Sequence, residues 1–158
     1  MRVLSLAAPP ISRATLRLMA KKIRKNLGVD GEPYFPIIEV MEHPTILDAI
    51  APGFDFLIGE EREMGENHGL TRPRAKEIWI RSDVYEGAFE GRGRDRMTMA
   101  HELGHAILHA DLPMNRRMVK EVKAYEDPEW QAKAFAGELM IDMNFLNTFS
   151  SVYEACLA

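Results

Sequence analysis

One pattern near the middle of the chain constrains the fold more than any other feature: His-Glu-x-x-His, formed by His101, Glu102 and His105. The surrounding residues are compatible with a helix, with Asp95 as a plausible N-cap and Pro113 opposing its extension. On a helix, side chains four residues apart lie on one face, about 5–6 Å apart at Cβ. The spacing therefore predicts that both imidazoles converge on one cation.

The residue types indicate which cation and which chemistry. Neutral imidazole suits Zn²⁺, and a site with an open position can activate a water molecule. Glu102 lies about 100° round the helix from His101, within reach of that water without binding the metal. The pattern predicts hydrolysis of an amide bond, with Glu102 as general base.

The alternative is a helix with two partly exposed histidines and an unrelated glutamate. Met99, Ala100, Leu103 and Ile107 cover the other side of the helix. Such a helix is buried on more than one side, where unpaired histidine and glutamate side chains would be costly. These flanks favour the metal site.

His109 continues the spacing, but it stands about 12 Å along the helix axis from His101. It cannot join both other histidines on one ion without breaking the helix. We expect His109 to hydrogen-bond a metal ligand without binding the metal itself, or to have a purely structural role.

Glu129 is the predicted third ligand. Asp127 and Pro128 make a good helix start, with Asp127 as N-cap. Counting about 100° per residue places Glu129 about 50° from the centre of the helix's apolar stripe, whereas Glu138 points well over 100° away. The stripe consists of Ala132, Phe135, Ala136, Leu139 and Met140. The alternative is a first-turn glutamate that only favours the helix dipole.

The rest of the chain predicts a helix from Ser12 to Gly28 and a shorter one from Pro44 to Ile50. Residues 54–58 and 77–81 are rich in aromatic and branched side chains, which is typical of strands. The three glycines of residues 87–94 predict a connecting loop. The cations of the first helix are expected on a solvated face; they are Arg13, Arg17, Lys21, Lys22, Arg24 and Lys25.

Two further expectations concern the substrate. The strand from Lys76 to Ser82 is expected at a sheet edge above the metal, where an extended peptide pairs with it. Tyr85, just beyond that strand, is a candidate for hydrogen bonding to the developing oxyanion, although a structural tyrosine is the more ordinary interpretation.

Composition narrows the class of protein. The 158 residues, 46% of them hydrophobic, are enough for one core and predict a single domain spanning residues 1–158. The one cysteine, Cys156, excludes an intrachain disulfide and a multi-cysteine zinc site. A net charge of −4 argues against nucleic acid as the main partner. Without a secretory or membrane-spanning segment, we expect a soluble cytoplasmic protein.

The three stretches 78–85, 94–105 and 129–140 resemble, in that order, the ImmA/IrrE family of metallopeptidases. The resemblance implies a zincin-like α+β domain with an N-terminal helix, a small sheet of two to three strands, the His-Glu-x-x-His helix and a following helix that carries the third ligand. It implies zinc bound by His101, His105 and Glu129, with Glu102 as base. It also implies a protein substrate, since characterised relatives cleave helix-turn-helix transcriptional repressors.

A second function class remains open from the sequence: a non-catalytic, metal-stabilised module that holds a regulator without cutting it. A purely structural zinc site normally uses four protein ligands and has no need of Glu102. The sequence therefore favours the enzyme.

Overall fold

The computed structural model describes residues 5–112, 118–119 and 121–147. In chain order its elements are β1 (Ser5–Leu6), α1 (Arg13–Asn26), α2 (Ile37–Glu42), α3 (Pro44–Ile50), β2 (Asp55–Gly59), α4 (Glu61–Met64), β3 (Gly69–Arg72), β4 (Glu77–Arg81), α5 (Ser82–Phe89), α6 (Gly93–Leu108), β5 (Met118–Val119), a 3-10 helix (Ala124–Glu126), α7 (Pro128–Met140) and α8 (Met143–Leu146). The predicted α+β class is confirmed. Pro113 and Cys156 lie outside the described residues.

The main sheet has three strands in the order β2-β4-β3, with β2 parallel and β3 antiparallel to β4. Ile78 and Ile80 of β4 are fully buried on the face that packs against the helices. β1 and β5 form a separate antiparallel pair. The expectation that β4 lies at an edge is wrong, because β3 pairs with its other side. The sequence of β3, Gly-Leu-Thr-Arg, is too short and too polar to be recognised as a strand.

Helix α1 begins as predicted, since the Ser12 side chain accepts a hydrogen bond from the backbone N–H of Thr15. Arg24 does not lie on a solvated face, as its cationic neighbours suggested, but is 2% exposed. Its guanidinium donates to the backbone carbonyl of Leu139 at 2.7 Å and lies 3.8 Å from the carboxylate of Asp142. These partners offset the cost of burying the charge. Arg24 thereby fastens the end of α7 to α1.

A second contact ties α7 to α1 through Glu138. Its carboxylate accepts hydrogen bonds from Arg13 at 3.0 Å and from Arg17 at 2.9 Å. The Glu138 side chain is almost fully buried, whereas both arginines stay half exposed. This contact fixes the orientation of α7 along its axis.

The connecting loop predicted at residues 87–94 is shorter in the structure and comprises residues 90–92. Gly87 lies within α5, and α6 already begins at Gly93. Asp95 is therefore not the N-cap but lies in the first turn of α6. A Cβ at Gly87 would lie 1.9 Å from the Asp95 carboxylate, so this glycine is what allows α5 and α6 to approach.

Helices α6 and α7 pack closely across Gly104. A Cβ at this position would meet the backbone carbonyl oxygen of Ala132 at 3.2 Å and the ring of Phe135 at 3.3 Å. Met99 and Leu103, on the same helix, are fully buried in the core. The glycine thus brings the backbone of α7 against the His-Glu-x-x-His helix. No helix in the described part of the chain is long and apolar enough to cross a membrane.

Glu138→Gln removes the charge that pairs with Arg13 and Arg17. It is expected to lower the free energy of unfolding by only about 1 kcal/mol near neutral pH, because both arginines are half exposed and water screens the ion pairs. Burial opposes the charge of Glu138, but the hydrogen bonds from Arg17 and Arg13 outweigh it and lower its pKa below the ordinary 4.5. The stabilisation is therefore present above the unfolded pKa and is lost as pH falls through the folded one.

Urea denaturation of the wild type and this variant over a pH series measures the effect. Glu86→Gln, at an exposed position of α5, is the matched control and should change little. A difference between wild type and Glu138→Gln that persists undiminished in acid would contradict the role given to this carboxylate.

Candidate metal centre

Helix α6 places His101 and His105 one turn apart on the same face. Their Nε2 atoms lie 3.2 Å from each other, and the rings meet edge to face with centroids 4.7 Å apart. Their side chains are 18% and 16% exposed, so each is partly shielded but open on the side that faces the cavity. The two imidazoles converge as the spacing predicted.

The first turn of α7 brings Glu129 to the same point. Its Oε2 lies 3.1 Å from Nε2 of His101, and its Oε1 lies 3.1 Å from Nε2 of His105. The Asp127 side chain caps the helix by accepting from the N–H of Glu129 at 3.0 Å. The structure thus groups the three predicted ligands, and their donor atoms lie within 4.8 Å of one another.

These distances can be compared with a zinc site. Zn–N and Zn–O bonds of about 2.0–2.1 Å in a tetrahedron put neighbouring donor atoms about 3.3 Å apart. The separations of 3.1 and 3.2 Å between these side chains are close to that value. Two imidazoles and one carboxylate also match the ligand chemistry of a divalent, borderline-soft cation. The residues present fit such a metal ion.

His109 and Gln131 lie behind His105. The Nδ1 of His109 is 2.8 Å from the Nδ1 of His105, and its Nε2 is 2.8 Å from the Oε1 of Gln131. Gln131 is fully buried, and its amide nitrogen donates to the backbone carbonyls of Pro9 and Tyr125. His109 therefore lies where a residue supporting His105 is expected.

This chain of hydrogen bonds assigns the tautomer of His105. Because the amide nitrogen of Gln131 donates, its Oε1 must accept, and the proton comes from Nε2 of His109. For His105 to offer its Nε2 lone pair to a metal ion, its Nδ1 must carry the proton, which the Nδ1 of His109 then accepts. The lone pair on Nε2 of His105 is left facing Glu129. Burial is the main reason why the pKa of His105 falls to about 4, so the ring is neutral near pH 7.

Glu102 lies beside this cluster, 8% exposed, against strand β3. The Thr71 hydroxyl donates to its Oε2 at 2.7 Å. A Cβ at Gly69 would lie only 2.6 Å from the Cγ of Glu102, so the absence of a side chain at this position makes room for the carboxylate. Burial raises the pKa of Glu102, although the hydrogen bond from Thr71 partly offsets this. A raised pKa makes the carboxylate a better proton acceptor.

One cavity of about 360 Å³ joins these groups. The two histidines, Glu102 and Glu129 line one side, and residues of β3 line the other. A substrate in this cavity would therefore lie between the strand edge and the cluster.

Tyr85 is not brought to the cavity. Its hydroxyl donates to the carboxylate of Glu42, and its ring packs against Phe56 with centroids 6.3 Å apart. The hydrogen bond to Glu42, more than burial, raises the pKa of Tyr85 to about 12. The position of Tyr85 therefore fits a structural role and not hydrogen bonding to an oxyanion.

Sequence reasoning missed Gly69, Thr71 and Gln131. The first two lie on the strand that the pattern did not reveal, so no signal could have found them. Gln131 gave a weak signal, since a glutamine two residues after a predicted ligand sits at the border of the apolar stripe of α7.

The comparisons with known proteins bear on the same part of the chain. The sequence model of the IrrE N-terminal-like domain, peptidase family M78, matches residues 63–153. The match covers more than half of the chain and includes β3, α6 and α7. Searches of the curated proteins and of the solved structures give no match. The resemblance noted in the sequence is confirmed, and the chain belongs to the IrrE N-terminal-like family of metallopeptidases.

Proposed function

We propose that this chain is a zinc-dependent endopeptidase in which His101, His105 and Glu129 hold the metal. The observation that carries the proposal is the convergence of these donor atoms on one point, beside a buried carboxylate and an open cavity. Three protein ligands leave a coordination position free, which distinguishes catalytic from structural zinc sites. Family membership supports a divalent metal and peptidase activity.

When bound, the zinc ion supplies Lewis acidity, which polarises a peptide carbonyl and makes a water molecule acidic enough to act as nucleophile near neutral pH. Glu102 accepts the proton of that water and later donates it to the leaving amine. Thr71 holds the carboxylate in place through its 2.7 Å hydrogen bond to Oε2. Oε1 of Glu102 remains available to the water.

We assign substrate docking to strand β3 in place of β4. The backbone N–H of Arg81 donates to the carbonyl of His68, directly opposite it in the antiparallel register. Along an antiparallel ladder, residue pairs with backbone hydrogen bonds alternate with pairs without them. His68 belongs to a hydrogen-bonded pair, so the backbone N–H and C=O groups of Gly69 and Thr71 point away from β4. β4 is the only partner of β3 among the described strands. An extended peptide would pair with these two residues at the border of the cavity.

The substrate proposed is a helix-turn-helix transcriptional repressor, cut in the cytoplasm as a regulatory event. This extension rests on the resemblance to the ImmA/IrrE metallopeptidases. The edge of β3 supports it in part, because strand pairing requires the cleaved segment to be extended and accessible, as in a linker between domains.

Glu102→Gln is expected to keep the metal and to lose peptide hydrolysis by about two orders of magnitude or more, because ligation is untouched while the proton acceptor is gone. The measurement is zinc content together with cleavage of a substrate verified with the wild type. A variant that cuts this substrate at the wild-type rate would show the mechanism to be wrong. If the variant and the wild type both bind zinc but the wild type cuts none of a panel of repressors, the non-catalytic module that only holds a regulator is favoured.

Glu129→Ala is expected to lower zinc affinity severely, because it removes one of three ligands. Glu138→Ala, on the same helix, should keep near wild-type affinity, since its carboxylate binds Arg13 and Arg17 at the far end. Competition with a chelator of known affinity measures both variants. Equal zinc retention by the two would refute the assignment of Glu129.

Gln131→Leu is expected to weaken zinc binding about 10-fold to 100-fold, because His109 loses the acceptor that sets the tautomer of His105. Lys133→Leu is the matched control, since Lys133 is exposed on the same helix. The same chelator competition applies. If both leucine variants bind zinc equally well, the hydrogen-bond chain does not position His105.

A further inference from the structure

A second cavity lies on the opposite face of the sheet from the metal centre. Its volume is about 290 Å³, and it is lined by Glu63, Met64, Asn67, Leu70, Arg72 and Trp79. Leu70 also lines the metal cavity. The two cavities therefore meet at strand β3, one on each of its faces.

The second cavity has an apolar floor built by close packing. Met64 of α4 and Trp79 both pack against residue 59 because it is glycine: a Cβ there would lie 2.6 Å from the sulfur of Met64 and 3.3 Å from the indole ring. Met64, Leu70 and Trp79 are each half-buried, so they offer apolar surface that is only partly covered.

Two of the polar groups beside this floor are paired with Glu77. The indole N–H of Trp79 donates to Glu77 at 2.8 Å. Arg72 lies 5.8 Å from the ring centroid of Trp79 and 3.8 Å from the same carboxylate of Glu77. The other polar residues of the lining, Glu63 and Asn67, are exposed, so they stay in contact with water beside an apolar occupant. An apolar side chain would gain from burial without leaving a polar group unsatisfied.

Strand pairing connects this cavity to the substrate. A peptide paired with the edge of β3 points its side chains alternately to the two faces of the sheet, and opposite residues share a face. Gly69 and Thr71 face Glu102, so Leu70 and Arg72 face the second cavity. A substrate residue opposite Leu70 or Arg72 would place its side chain there. At about 3.3 Å per residue, it lies roughly one or two residues from the cleaved bond.

We propose that this cavity is a specificity subsite that selects a large apolar side chain, such as leucine, methionine or phenylalanine, next to the cleaved bond. The proposal rests on the proposed peptidase function and names a feature of its substrate: an extended segment with a bulky apolar residue beside the scissile peptide. Met64 and Trp79 are the residues that determine the preference.

The test uses the zinc-loaded full chain and a library of peptides randomised at every position, with the cleavage sites read by mass spectrometry. The wild type is expected to select leucine, methionine or phenylalanine about tenfold or more over aspartate at one position near the cut. Met64→Lys should shift that position towards aspartate and glutamate. Leu57→Ala should leave the profile unchanged, because Leu57 shares this sheet face but does not line the cavity.

A second measurement does not depend on turnover. Fluorescently labelled peptides that differ only in leucine or aspartate at the selected position are titrated with the zinc-loaded Glu102→Gln variant, and binding is followed by anisotropy. The leucine peptide should bind about tenfold more tightly. Adding Met64→Lys should reverse the order.

The outcomes separate the two proposals. Cleavage without an apolar preference, or an unchanged profile and binding order in Met64→Lys, overturns the subsite and leaves the peptidase proposal intact. A library left uncut by the zinc-loaded wild type overturns both.

Discussion

The close packing of α7 against α6 is the constraint on which the metal centre depends. Two histidines one turn apart define only part of a coordination sphere, and the third donor must come from another element. The missing side chain at Gly104 lets the backbone of α7 lie against α6, with the carbonyl of Ala132 at 3.2 Å from where a Cβ would be. The first turn of α7 then reaches the histidines. A mid-helix glycine costs about 1 kcal/mol relative to alanine, which this geometry explains.

Buried polar groups hold α7 at that distance. Arg24 binds the carbonyl of Leu139, and Glu138 binds two arginines of α1, so the helix is fixed at the end far from the metal. Next to the proposed metal ligands, Gln131 hydrogen-bonds His109, and His109 hydrogen-bonds His105. These side chains have specific partners, which offset much of the cost of desolvating them. The contacts at the far end therefore stabilise the packing of α7 on α1, whereas Gln131 and His109 act directly on the geometry of the site.

Strand β3 contacts the candidate site in three ways. Its Thr71 hydroxyl holds Glu102, and the absence of a side chain at Gly69 makes room for that carboxylate. Its outer edge is the proposed docking site for an extended peptide. Leu70 borders both cavities, so the same strand divides the reacting bond from the proposed specificity subsite. In the proposed mechanism this short strand positions Glu102, and in the proposed subsite it orients the substrate side chains.

The local sequence pattern determined several helices and part of the candidate metal site. Capping residues and helical periodicity predicted α1, α3 and the start of α7, and the spacing of His101 and His105 predicted that their side chains converge. The angle of Glu129 to the apolar stripe of α7 predicted an inward-facing side chain; the side chain does reach the histidines, but it is 62% exposed. These features depend on neighbours within a few turns, which a sequence records directly.

Other features depend on contacts between residues far apart in the chain, and only the tertiary structure decided these. The central position of β4, the existence of β3, the burial of Arg24 and the engagement of Tyr85 with Glu42 all depend on groups far apart in the chain. The same holds for Thr71 at Glu102 and Gln131 behind His109. A residue's type and local period do not reveal such partners, because the free energy of burying a polar group is set by what the fold places beside it.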